Sequence, residues 1–237
     1  MSRITLDRVN DHHFISSWLE AGNDKGHVLI VDLGMNAGDF TGEMLQRYNK
    51  SRIIAVEANP QLASAMPPRT NLHCYNYAIA PENGPVTFGI DLENSTASAL
   101  NATGDNSQKV VVEGIRFADF IQTARIENEL IDLLKIDIEG AELELFEQTP
   151  SNFFTNIRQI CVEFHVFLDP KQLPRVAKII ARMESFGFHC IDFTTNFQDV
   201  LMVNSRIGLS PLNPIEIMKM TLNKYLRGAK RKLAKLV

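Results

Sequence analysis

Apolar residues cluster in short runs separated by glycine turns and amphipathic stretches, and this alternation predicts an α/β fold. The runs HVLIVDLG from His27 to Gly34 and RIIAVEA from Arg52 to Ala58 are short and β-branched, as strands buried on both faces are. Between them, Asp39–Asn49 carries Phe40, Met44, Leu45 and Tyr48 at helical spacing, with Thr41 as the expected helix cap. Strand, glycine turn, helix and strand form one βαβ unit. A short helix starting on proline is predicted over Pro60–Met66, then a strand over Asn71–Ala80.

After a turn at Pro81–Gly84 and a strand at Val86–Ile90, the stretch Asp91–Gln108 is rich in Asn, Ser and Thr and reads as a loop. A strand over Lys109–Glu113 leads into amphipathic Phe117–Arg125, and LIDLLKIDIE over Leu130–Glu139 is the next core strand. Leu143–Glu147 reads as helix, Ile157–Phe167 as strand and Leu173–Phe186 as amphipathic helix. FHCIDF near Phe188 and VLMV near Val200 close the sheet as an antiparallel pair. Such alternation predicts a mainly parallel sheet covered by helices on both faces, with ligands bound beyond the carboxyl ends of its strands.

At 237 residues, one domain over residues 1–213 is expected, with residues 214–237 as a separate basic tail. The composition, 45% hydrophobic and 22% charged, suits a chain that folds in water. No window approaches the roughly 20 apolar residues of a membrane span, and Asp7, Arg8, Asp11 and Glu20 interrupt any leader-peptide core. A cytoplasmic location is therefore expected. Cys74, Cys161 and Cys190 are odd in number and set in apolar stretches, so they read as buried free thiols.

A net charge of −4 argues against a nucleic-acid partner. Charge is nevertheless uneven: after Glu216 the tail carries Lys219, Lys224, Arg227, Lys230, Arg231, Lys232 and Lys235 and no acid. With Leu222, Leu226 and Leu233 at helical spacing, the tail suits either docking on the domain or peripheral contact with an anionic membrane. Oligomeric state is not legible.

The chemistry concentrates in Asp32-Leu33-Gly34-Met35-Asn36-Ala37-Gly38-Asp39-Phe40, at the turn from first strand to first helix. Gly34 and Gly38 permit a sharp bend, and the helix start offers N–H groups to an anion. Glu57, 25 positions after Asp32, stands at the mouth of the neighbouring strand, where a carboxylate can accept from both hydroxyls of a ribose. Both features suit an adenosyl cofactor. A nicotinamide dinucleotide would call for a third glycine where Asp39 stands, whereas the ammonium of S-adenosylmethionine tolerates carboxylates such as Asp32.

Four blocks in order, VDLGMNAGDF at 31–40, VEANP at 56–60, LLKIDIEGAELELFE at 133–147 and CVEFH at 161–165, resemble the FkbM family of methyltransferases. The resemblance implies a Rossmann-like class I methyltransferase fold with a seven-stranded sheet. It implies that Gly34, Asn36 and Gly38 line the methionine part of S-adenosylmethionine, with Asp32 and Phe40 in the same block. Glu57 would hold the ribose, Ala58, Tyr77 and Ala78 would border the adenine, and Asp137 would lie near the sulfonium methyl.

The implied reaction is O-methylation of a saccharide, glycolipid or other small-molecule hydroxyl. Such a hydroxyl needs its proton removed, for which His165 is favoured over Asp137 and Glu139. Lys135 shares one strand face with Asp137 and Glu139 by the period-two rule and would neutralise them rather than act as a base. A metal among Asp137, Glu139, Glu163 and His165 is considered, but no regular ligand spacing supports it and none is assigned. Two rival readings are a noncatalytic scaffold that keeps the fold and an NAD-dependent oxidoreductase.

Overall fold

Along the first long strand, Leu29, Val31 and Leu33 belong to one buried cluster and Ile30 to another, so one apolar run feeds two faces of a sheet. The computed structural model describes residues 4–26, 28–91, 97–98, 107–166, 169–194 and 196–209. The chain begins with β1 (Leu6–Val9), β2 (His12–Ile15) and α1 (Ser16–Asn23), then runs β3 (Leu29–Leu33), α2 (Asp39–Arg47), β4 (Arg52–Val56), α3 (Pro60–Ala65) and β5 (Leu72–Tyr75). There follow β6 (Ala78–Ile79), β7 (Gly84–Asp91), β8 (Ala97–Ser98), β9 (Ser107–Ile115) and α4 (Phe117–Thr123). The last part comprises β10 (Leu133–Ile136), α5 (Glu142–Gln148), β11 (Gln159–Val162), α6 (Leu173–Ser185), β12 (Phe188–Asp192) and β13 (Val200–Asn204).

Seven strands form the central sheet in the order β12-β13-β11-β10-β3-β4-β5, and only β13 runs against the others. The expected terminal antiparallel pair is β12 and β13. Phe117 and Phe120 of α4, Phe146 of α5, and Val176 and Ile179 of α6 pack on one face with Leu33, Val56 and Ile136. Phe40, Met44 and Leu45 of α2 and Leu19 of α1 cover the other, against Ile30, Ala55 and Leu133. Burying both faces of a parallel sheet is what its continuous apolar strands require.

Four expectations change in detail. Thr41 lies inside α2 rather than capping it; Gly38, at φ 86°, precedes the helix, and the Thr41 hydroxyl donates to buried Asp32 at 2.7 Å. The strand expected over Asn71–Ala80 divides at Asn76, whose amide donates to the carbonyls of Glu57 (2.8 Å) and Ala58 (3.0 Å). Beyond that break β6 joins β9, β7 and β8 in a second sheet. The strand expected over Leu130–Glu139 is only Leu133–Ile136, because Glu139 (φ 55°) and Gly140 (φ 106°) turn the chain away. Of the three thiols only Cys161 is fully buried; Cys190 is half-buried and Cys74 exposed.

The hairpin β1-β2 and α1 carry no strong periodic signal. They are fixed from afar: Ile15 donates to the Gln159 side chain at 2.8 Å, and the His13 ring is bonded to Asp199 and stacked on Phe193. Among the described residues no helix is long and apolar enough to cross a membrane. The basic tail over 214–237 and most of the polar stretch between Asp91 and Gln108 lie outside the described residues.

Candidate functional site

Parallel strands β3, β4, β10 and β11 end on one edge, and the residues that follow them are Gly34, Glu57, Asp137 and Glu163. Two crevices open there. The smaller is lined by Asn36, Glu57, Ala58, Tyr77, Ala78 and Glu139, among others; the larger by Asp11, His12, Phe40, Lys135 and Glu163, among others. They meet at Gly34, Asn36 and Asp137, which line both.

Gly34 is required by close approach. Its φ is 81°, and a Cβ there would stand 1.7 Å from the carbonyl oxygen of Asp137, so only glycine lets β3 leave the sheet against β10. The N–H groups of Gly34 and Met35 both donate to Val56 at 2.9 Å, and Asn36, at φ 53°, turns the loop over Glu57. Glu57 is almost fully buried. Its Oε2 accepts from the Asn36 N–H and its Oε1 from the Asn59 N–H, each at 2.7 Å. Burial raises the Glu57 pKa, and these two bonds oppose the rise.

Beneath the bend lies an ion pair. Asp32 and Lys135 are register partners on adjacent strands, facing α2, and are 0% and 3% exposed. The Lys135 ammonium stands 3.1 Å from Asp32 Oδ1 and 3.5 Å from Asp137 Oδ2, and donates to the Gly34 carbonyl at 2.5 Å. Burial alone would lower Lys135, but Asp32 and Asp137 outweigh it and hold the amine charged. Burial would likewise raise Asp137, but Lys135, His12 and His165 hold its carboxyl well below the usual range. Lys135 thus neutralises Asp137 as the strand-face argument predicts, and Asp32 of the neighbouring strand as well, whereas Glu139, past the turn, lies beside His165 instead.

His165 follows β11 and stands among carboxylates. Its Nδ1 is bonded to Glu142 at 2.9 Å, and its Nε2 is 3.4 Å from Glu139 and 3.7 Å from Asp137. Burial would lower the imidazole, but Glu142, Glu139 and Asp137 lift it to about 9. These carboxylates favour its protonated form, which opposes the proton-acceptor role expected from sequence. Glu142 is 1% exposed, and its Oε1 also accepts from the N–H groups of Ile138 and Gly140 at 3.1 Å.

Of the residues singled out in the sequence, Gly34, Asn36, Phe40, Glu57, Ala58, Ala78, Asp137 and Glu139 line the two crevices. Asp32 lies below them, Gly38 serves as the left-handed start of α2, and His165 stands behind Asp137 and Glu139. The four residues of the metal reading do not form one cluster: Asp137 groups with His12 and Glu163 on one side and with Glu139 and His165 on the other, positive charge is supplied there by Lys135 and His165, and no metal ligand is assigned. Sequence reasoning passed over His12, which is buried with Nε2 3.4 Å from Asp137; the pair of histidines at 12 and 13 was the available signal.

A family model described as the methyltransferase FkbM domain matches residues 32–190, more than half of the chain. Methyltransferase 1 of Beauveria bassiana is 26% identical over 212 residues, 79% of this chain and 82% of that protein. The 2-O-methyltransferase NoeI of Sinorhizobium fredii is 26% identical over 153 residues, 56% of this chain and 60% of that one. Among solved structures, human methyltransferase-like protein 13 in complex with SAH superposes with a TM-score of 0.50 at 9% identity, covering 89% of this chain and 87% of that one. That likeness concerns the fold.

Proposed function

The chain belongs to the FkbM methyltransferase family, and on that premise we propose that it transfers the methyl group of S-adenosylmethionine to a hydroxyl of a saccharide, glycolipid or other small molecule. The observation that carries the reading is the shared crevice: the bend at Gly34–Asn36 and the carboxylate of Glu57 face one space, with Asp137 where the smaller crevice meets the larger. The donor reading draws on the SAH named with the human relative in fold, and the hydroxyl acceptor on the 2-O-methyltransferase named among the sequence relatives.

Each Glu57 oxygen already accepts one backbone N–H and keeps a second lone pair for a ribose hydroxyl. Ala58, Ala78 and Tyr77 offer an apolar lining to adenine in the smaller crevice. Gly34, Asn36 and Asp137, which line both crevices, would hold the methionine part, with Asp137, a carboxylate kept ionised by Lys135, facing its ammonium. Attack by the acceptor oxygen forms the O–CH3 bond as S–CH3 breaks, so holding the two in line supplies much of the rate. Asp11, Asp39, Asp137 and Glu163 all line the larger crevice, and this acidity favours a neutral polyol over an anionic acceptor.

Isothermal titration with S-adenosylmethionine tests the donor, and tritium transfer from labelled donor to a panel of neutral methyl glycosides tests the acceptor. Absence of binding ends the donor reading. Binding without transfer to any hydroxylated acceptor favours the noncatalytic scaffold instead.

A further inference from the structure

Methyl transfer to a hydroxyl, as proposed above, needs a group on the acceptor side of the sulfonium that can take a proton. With the adenosyl part in the smaller crevice, an in-line acceptor enters from the larger one, on the other side of Asp137. Most acids of the site are committed elsewhere. Glu57 accepts from two backbone N–H groups, Glu142 from two more and from His165, and Asp32 from Thr41 with Lys135 alongside. Asp137 is shared by Lys135 and His12, and Glu139 lies beside His165 on the adenosyl side.

Asp11 pairs with Arg8, and Asp39 stands exposed at the first turn of α2; Glu163 differs from both. It is half-buried, it lines the larger crevice, and its carboxylate makes no hydrogen bond or ion pair with any described residue. Its backbone N–H donates to Ile136 at 3.0 Å, which anchors it beside the start of the Asp137 loop. A carboxylate oxygen of Glu163, one of Asp137 and a ring nitrogen of His12 all lie within 4.8 Å of one another. By strand alternation Glu163 shares a face with Cys161, the α2 face that also carries Asp32 and Lys135. We propose that Glu163 is the catalytic base that accepts the hydroxyl proton of the acceptor.

The step balances. The O–H bond breaks and its proton passes to a Glu163 oxygen, the oxygen pair forms O–CH3, the S–CH3 pair returns to sulfur as neutral S-adenosylhomocysteine, and Glu163 later yields the proton to water. Burial and the neighbouring charge of Asp137 raise Glu163 to about 7, with Glu139 and Glu142 adding to the rise and His165 opposing it. A base poised there is partly ionised at neutral pH and strong enough to assist.

The test compares the intact chain with Glu163→Gln and Glu163→Asp, using tritiated S-adenosylmethionine and the methyl glycoside of highest turnover. Loss of a general base costs about 10²- to 10⁴-fold. Glu163→Gln is thus expected to lower kcat at least about 100-fold, with donor Kd changed less than about threefold. The acid limb of the pH–rate profile near pH 7 is expected to vanish, and Glu163→Asp to regain part of the rate. Unchanged kcat with the acid limb intact overturns the assignment, as does a kcat loss that only follows lost donor binding. An intact chain that binds donor yet methylates no glycoside removes the acceptor reading and this base with it.

Discussion

Replacing Glu57 by glutamine separates what this carboxylate does for the loop from what it does for a ribose. In the native site both oxygens are acceptors, each facing a backbone N–H at 2.7 Å, from Asn36 and from Asn59. Glutamine keeps one oxygen and turns the other into an amide donor, so either Asn36 or Asn59 is left with donor against donor in a site only 4% exposed. Losing one charge-assisted bond and stranding its donor costs about 1–3 kcal/mol, to be read in urea unfolding without cofactor. The ribose loses one of two acceptors as well. At about 1.5–3 kcal/mol for a bond to a charged group, donor affinity falls about 10- to 150-fold, read by isothermal titration. A stability loss of that size with donor affinity unchanged within threefold would make Glu57 a loop clamp and refute the ribose contact.

Three further outcomes are expected. Thr41→Val removes the hydroxyl that donates to Asp32 at 2.7 Å, leaving that fully buried carboxylate one bond short, and should cost about 1–3 kcal/mol in chemical unfolding. Gly34→Ala places a Cβ against the Asp137 carbonyl at positive φ, so either β3 or the Asp137 loop must shift. The backbone strain alone is about 1–3 kcal/mol, and differential scanning calorimetry together with donor titration should show both a lower Tm and weakened binding. His165 has a folded pKa raised to about 9, so its stabilising contribution is fully present below the ordinary histidine range and lost as pH rises through about 9. His165→Gln should therefore flatten the decline in unfolding free energy between pH 7 and pH 10, and an unchanged slope would contradict the three-carboxylate environment.

The strands β3, β4 and β10 could be read from the chain because a buried parallel strand needs an unbroken apolar run. The glycine bend at Gly34 and the acid at Glu57 were legible too, since both lie immediately past such runs. Family blocks along the chain carried the methyltransferase identity. What side chains do at the site was not written locally. Lys135 meets Gly34 across 101 positions, His13 meets Asp199 across 186, and Glu142 meets His165 across 23.

His165 illustrates the division. The sequence reading puts it at the end of a strand, where an imidazole of ordinary pKa could accept a proton; three carboxylates from the β10–α5 segment lift its pKa to about 9 instead. The N-terminal hairpin, which brings His12 to Asp137, shows no strong period because its burial comes from distant strands. Periodicity records which faces are apolar, a property of neighbours three or four residues away. The charge state of a group is set by whichever charges the fold brings within a few ångströms, and at this site those come from strand ends up to about a hundred residues apart in the chain.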